Sequence, residues 1–310
     1  MKRITFGILA TLATATTVLS PVAASSPVLA AEHLQHCFSP AAHGAAPADG
    51  ARTKNRRSAG EPSISRAHQA KIEKQTKKRL SGRSKSRSGP VRIPVYVHVM
   101  ESKTGAGNVS DSRIQKQIDV LNQTYSGDDP DHAGGPDTGF RFTLADIDRH
   151  RNNTWHTDGD SETYRAQTRR GSRSALNVWL VDFEDLGIAT FPWDDSSSPD
   201  IDGVRVQVHS LPGGSIKDYN EGKSLTHETG HWLGLYHTFQ DGCSSPGDEV
   251  SDTPAQASPS SGCPTGRDSC SSKGLDPIHD YMDYSYDGCY QSFTPGQVSR
   301  MKEMWTAYRA

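Results

Sequence analysis

The stretch His227-Glu-Thr-Gly-His231-Trp-Leu-Gly234-Leu-Tyr-His237 sets the terms for any fold this chain adopts. Residues four apart on a helix share a face, so His227 and His231 can reach one ion. Glu228 stands beside the first histidine, too strained to ligate alongside it but able to contact a water at the ion. Gly234 accepts φ > 0 and lets the chain leave the helix. His237 then swings back as a third ligand. Three protein ligands with the fourth position open is the catalytic arrangement for zinc, whereas a structural zinc site is closed by a fourth protein ligand. The bland alternative is a helix with two solvated histidines, which has no use for Glu228.

Around this motif the pattern predicts an α+β domain beginning near residue 93. Ile93–Met100 alternates as a strand does. Ser110 can cap a helix from about Asp111 to Tyr125, with Ile114, Ile118 and Leu121 apolar. Phe140–Leu144, Leu176–Val181, Leu186–Phe191 and Val204–Val208 read as strands, the third ended by Pro192 as suits an edge. A helix over about Ser224–Leu233 carries the histidines. Gly, Ser, Pro and Cys then dominate until a last helix, about Pro295–Tyr308.

The N-terminal third is different. Lys2 and Arg3, an apolar run from Ile4 to about Leu19, and small residues up to Ala31 make a signal peptide over 1–31, so the chain is expected to be exported and to permit disulfides. Residues 51–92 hold 14 Lys/Arg against two Asp/Glu, a net of +12, while residues 1–50 balance. With −2 for the whole chain, residues 93–310 are left with −14. An acidic folded part argues against a nucleic-acid partner. With 33% hydrophobic residues and a mean hydropathy of −0.67, nothing past the signal is fit to span a bilayer. Residues 32–92 therefore read as a basic pro-segment outside the final fold and largely removed, with a polar helix over about 65–80. It complements the acidic catalytic domain, 93–310, in charge. The same basic run could also tether the proform to anionic polymers.

The motif resembles that of the metzincin metallopeptidases. Downstream, Gly247-Asp248, Asp252-Thr-Pro254, Gly262-Cys-Pro264, Asp276-Pro-Ile-His279, Tyr281-Met-Asp-Tyr-Ser285 and Phe293-Thr-Pro-Gly-Gln297 resemble the pappalysin family in its microbial, short-chain branch. The resemblance is dense over 223–305 and diffuse over 93–222. It implies a metzincin-like fold: a twisted mixed sheet with two helices above a cleft and an irregular disulfide-bonded lower subdomain, from about residue 238, with a C-terminal helix. It carries zinc binding over to His227, His231 and His237, and general base catalysis to Glu228. It makes Met282 a Met-turn residue and Tyr284 a hydroxyl near the zinc. It also implies calcium in the loop after the motif, where Asp248, Thr253, Asp252 and a carbonyl near Ser251 are the matching oxygens.

Of the five cysteines, Cys243, Cys263, Cys270 and Cys289 allow three pairings, and no C-x₂₋₄-C pair supports a Cys₄ zinc site. The resemblance implies Cys243–Cys270 and Cys263–Cys289. It also makes Cys37, the odd one, a candidate zymogen switch on the zinc. Asp287 follows the Met-turn where an acidic residue could select a basic side chain after the scissile bond. His279 is a candidate support for the site, while His98 and His209 read as structural or surface residues. The expected function is a secreted zinc endopeptidase acting on extracellular proteins or peptides bound along the edge strand 186–191. The alternatives are a secreted protein that uses its metals only for stability, which would not need Glu228, and a zinc amidase on a non-protein substrate.

Overall fold

The alternation over 93–100 belongs to the strand next to one edge of a six-stranded sheet. In chain order the strands are β1 (Asp49–Arg52), β2 (Val91–Glu101), β3 (Phe140–Arg151), β4 (Leu176–Val181), β5 (Asp185–Ala189) and β6 (Val204–Gln207). Their spatial order is β1-β5-β6-β4-β2-β3. The four strands from β6 to β3 run parallel, while β5 is antiparallel to β6 and β1 antiparallel to β5. The computed structural model describes residues 49–52, 64–82, 89–130, 132, 134–194 and 198–310, all within one unit, Ala45–Ala310. The signal peptide and Cys37 lie outside the described residues.

Among the described residues six α-helices accompany the sheet: α1 (Arg66–Leu80), α2 (Asp111–Ser126), α3 (Asn153–His156), α4 (Ser161–Thr168), α5 (Lys223–Trp232) and α6 (Pro295–Met304). The Ser110 side chain caps α2 by accepting from Arg113 N, and Gly127 ends it at φ 78°. Ile114, Ile118, Leu121 and Tyr125 recur at helical spacing and are all buried against the sheet and α5. Burial of each such side chain stabilises the fold by roughly 1.5–3 kcal/mol. Thr124 meets Thr226 hydroxyl to hydroxyl at 2.9 Å, and the Tyr125 hydroxyl donates to the Thr226 carbonyl, so α2 grips the histidine helix directly.

The lower part has little regular structure. Cys243–Cys270 and Cys263–Cys289 cross-link it, in the pairing the resemblance implied. Thr294 and Gln297 form a capping box that starts α6, with Pro295 in its first turn. The chain ends in a π-helical turn, Trp305–Arg309. Buried Arg309 bonds both oxygens of Asp202 and lies 3.6 Å above the Trp232 ring, anchoring the C-terminus to the end of α5.

The predicted polar helix forms as α1, and in the full chain it packs on the domain. Ile64 and Ile72 are buried with Phe191, Trp193, Tyr236, Met304 and Tyr308. Glu73 pairs with Arg300 at 2.8 Å, Arg79 lies over Tyr308, and Gln240 donates to the Ile64 carbonyl. Only Gln69, Ile72 and Thr76 face inward, so an average over the segment hides a narrow buried stripe. The short helices α3 and α4 and strand β1 also escape the sequence pattern.

Candidate active site

Every residue of α5 is buried. His227, Glu228 and His231 share its inward face, Gly234 turns the chain at φ 95°, and His237 returns as the spacing predicts. A side chain at Gly234 would meet Met304 Cγ at 2.5 Å, so the turn needs glycine for space as well as conformation. The three Nε2 atoms form a near-equilateral triangle of 3.0, 3.1 and 3.2 Å. His227 Nδ1 donates to the Tyr281 carbonyl at 2.6 Å and His231 Nδ1 to the Leu235 carbonyl at 2.8 Å. Those bonds fix the tautomer and aim both Nε2 lone pairs inward. Burial pushes His227 down to about 4, and burial with mutual repulsion holds His231 and His237 well below the ordinary histidine value. Neutral imidazoles with converging lone pairs are what a zinc ion requires, so the residues fit the metal.

Glu228 is fully buried against β5, which is not the free edge expected for 186–191, because β1 pairs along its outer side. A Cβ at Gly187 would stand 2.6 Å from its Oε1, so the strand approaches the carboxylate only because residue 187 is glycine. Tyr284 is half-buried, its ring 5.6 Å from His227 and 4.8 Å from His237. Met282, the residue the resemblance made a Met-turn, is fully buried, with its sulfur against Gly230 between the first two histidines. Asp280 Oδ1 holds the turn by accepting from Met282 N and from Gln297 of α6.

The sequence did not flag what lies behind His227. The Tyr281 hydroxyl donates to Asp129, and the same carboxylate oxygen takes Lys223 Nζ at 2.7 Å. Lys223 and Asp129 are both buried, so this pair links the start of α5 to the carbonyl that orients a ligand. The link spans residues 129–281, and no local pattern could reveal it. His279 donates from Nδ1 to the Cys289 carbonyl and so braces the segment after Met282.

The residues that the resemblance assigned to calcium divide. Asp248 is buried, and its Oδ2 lies with the Thr253 hydroxyl, neither having another partner among the described residues. Asp252 is exposed and clamps the start of α6 through Thr294 and Gly296 N, so its carboxylate is committed to the helix. Asp287 is buried and accepts from Glu221 N at the head of α5. Burial, with neighbouring Glu221, pushes it up to about 7. Its Oδ1 has no partner among the described residues.

The fold and the histidine triangle define a metzincin-type zinc metallopeptidase. A family model described as pregnancy-associated plasma protein-A matches residues 176–306. An extracellular metalloprotease of Neurospora crassa is 46% identical over 228 residues, 71% of this chain and 76% of the relative. That of Pyricularia oryzae is 44% identical over 237 residues, covering 74% and 80%. Tannerella forsythia mature mirolysin in complex with a cleaved peptide superposes at a TM-score of 0.62 with 32% identity, covering 69% of this chain and 91% of that one. A promirolysin mutant of the same organism reaches 0.68 with 30% identity, covering 76% and 86%. The chain belongs to the pappalysin family.

Proposed function

We propose that the chain is a secreted zymogen whose mature form cleaves peptide bonds in extracellular proteins, with Glu228 as general base and acid. The observation that carries this reading is the Nε2 triangle with a buried carboxylate beside it, against β5. Zinc held by His227, His231 and His237 would supply Lewis acidity, activating water and polarising the scissile carbonyl. Glu228 takes the proton as water attacks and delivers it to the leaving amine. The Tyr284 hydroxyl donates to the developing oxyanion. Substrate lies along β5, adding a strand through backbone hydrogen bonds.

The chain's own residues 49–52 pair antiparallel with β5, Ala51 opposite Gly187, which supports both the strand-addition mode and latency of the proform. Cys37 would complete that latency as a thiolate at the zinc. Maturation then cuts upstream of Ile64, within 53–63, and α1 stays with the enzyme, because its removal would bare Ile64, Ile72 and the aromatic surface they cover. Asp248 and Thr253 hold a calcium ion by oxygen ligands. Asp287 selects a basic residue after the cut.

The test is casein hydrolysis by the secreted protein before and after chelation. Activity should vanish with the metal and return with zinc but not with calcium alone. Hydrolysis that survives complete removal of zinc would contradict the reading.

A further inference from the structure

A second metal-ligating cluster lies at the other side of the sheet from β5. His98 on β2 stands in register with Asp148 on β3, and His150 follows two residues later on the same face. Asp148 Oδ1 is 2.8 Å from His98 Nδ1 and 2.9 Å from His150 Nε2. These three donor atoms lie within 4.8 Å of one another.

The neighbours of His98 decide how its ring can be used. Asn177 Oδ1 accepts from Arg170 N and Asn177 Nδ2 donates to the Arg170 carbonyl, at 2.8 and 3.0 Å. That two-way bond fixes the amide with its oxygen toward His98, so His98 Nε2, 3.0 Å away, must be the donor. The ring is also stacked on Trp179 and buried. With a proton held at Nε2, Nδ1 is the ring atom that faces the carboxylate oxygen. A 2.8 Å approach of Nδ1 to that oxygen is reconciled by a proton on Nδ1 or by a metal ion between the two. His227 and His231 are built the same way, one ring nitrogen tied to a carbonyl and the other aimed into the cluster.

The rest of the surroundings suits a metal. Arg170 Nη2 takes Asp148 Oδ2 at 3.0 Å, leaving Oδ1 as a single ligand. Asp146 and Asp148 against Arg170 leave one net negative charge beside the two imidazoles. The side chains of His150 and Asp148 are 29% and 18% exposed, giving an ion and a fourth, solvent ligand a way in. Two imidazoles and one carboxylate form an N₂O set of intermediate softness, which selects zinc over calcium or magnesium.

We propose that His98, Asp148 and His150 form a second zinc site, separate from the catalytic one. A doubly protonated His98 bound to Asp148 as a plain ion pair is the competing arrangement. The test counts zinc per chain by elemental analysis in the full-length Glu228→Ala protein, equilibrated with micromolar free zinc, with and without His150→Ala. Two equivalents should fall to one, and His150→Ala in the active protein should leave casein hydrolysis unchanged. One equivalent in the parent, or two retained after the substitution, overturns the proposal. If His150→Ala loses both equivalents, His150→Gln decides: one supports the site and two overturns it.

Discussion

At the residue scale, the site depends on two glycines that contribute no chemistry. Gly187 makes room for Glu228, and Gly230 makes room for Met282. Gly187→Ala must push the carboxylate or the strand aside. Since displacement of a catalytic group by about 1 Å can cost on the order of a hundredfold, kcat should fall by about that factor with zinc content unchanged. Peptide kinetics with parallel metal analysis reads both, and a fully active variant would refute the packing argument. Gly230→Ala should instead cost stability, roughly 1–3 kcal/mol of overpacking against Met282, seen in denaturant unfolding. The histidines and Glu228 were legible in sequence because one helical turn and one glycine turn fix their geometry locally. The two glycine contacts, the Asp129–Lys223 pair and the His98 cluster were not, because each joins residues distant in sequence.

At the element scale, the strands, the histidine helix and the cysteine-rich lower part stand close to where the pattern placed them. Each is written in alternation, helical spacing or turn residues within a short window. Helix α1 is the exception. Its composition is that of a solvated segment, yet its narrow inner stripe covers an aromatic surface formed by residues 191–308. A chain beginning at Gly89 should therefore lose several kcal/mol relative to one beginning at Ile64, since two buried isoleucines alone represent roughly 3–6 kcal/mol. Urea unfolding of the two truncations, both carrying Glu228→Ala to prevent self-digestion, makes the comparison. Equal midpoints would mean that α1 is dispensable and that the expected removal of 32–92 leaves an intact domain.

Across the whole molecule, buried carboxyls give stability a pH dependence. Burial pushes Asp280 up to about 8 and Asp194 up to about 7, from an ordinary value of 3.8. In the unfolded chain both ionise near pH 4, while in the fold they keep their protons. The unfolded state therefore binds fewer protons across the window between, and stability falls as pH rises from about 4 to about 8. Unfolding midpoints of the Glu228→Ala protein should decline over that range. Asp280→Asn keeps the bonds from Met282 and Gln297 on Oδ1 and should flatten the decline; an unchanged slope would remove Asp280 from the explanation.

The central claim is that a zinc ion on the three histidines and the carboxylate of Glu228 together hydrolyse peptide bonds. The most direct measurement is casein hydrolysis by the secreted protein and by Glu228→Ala, with zinc quantified at the catalytic histidines in each. Equal zinc with cleavage by the parent alone is the expected result. Cleavage by Glu228→Ala at the parent rate, with zinc in place, would contradict it.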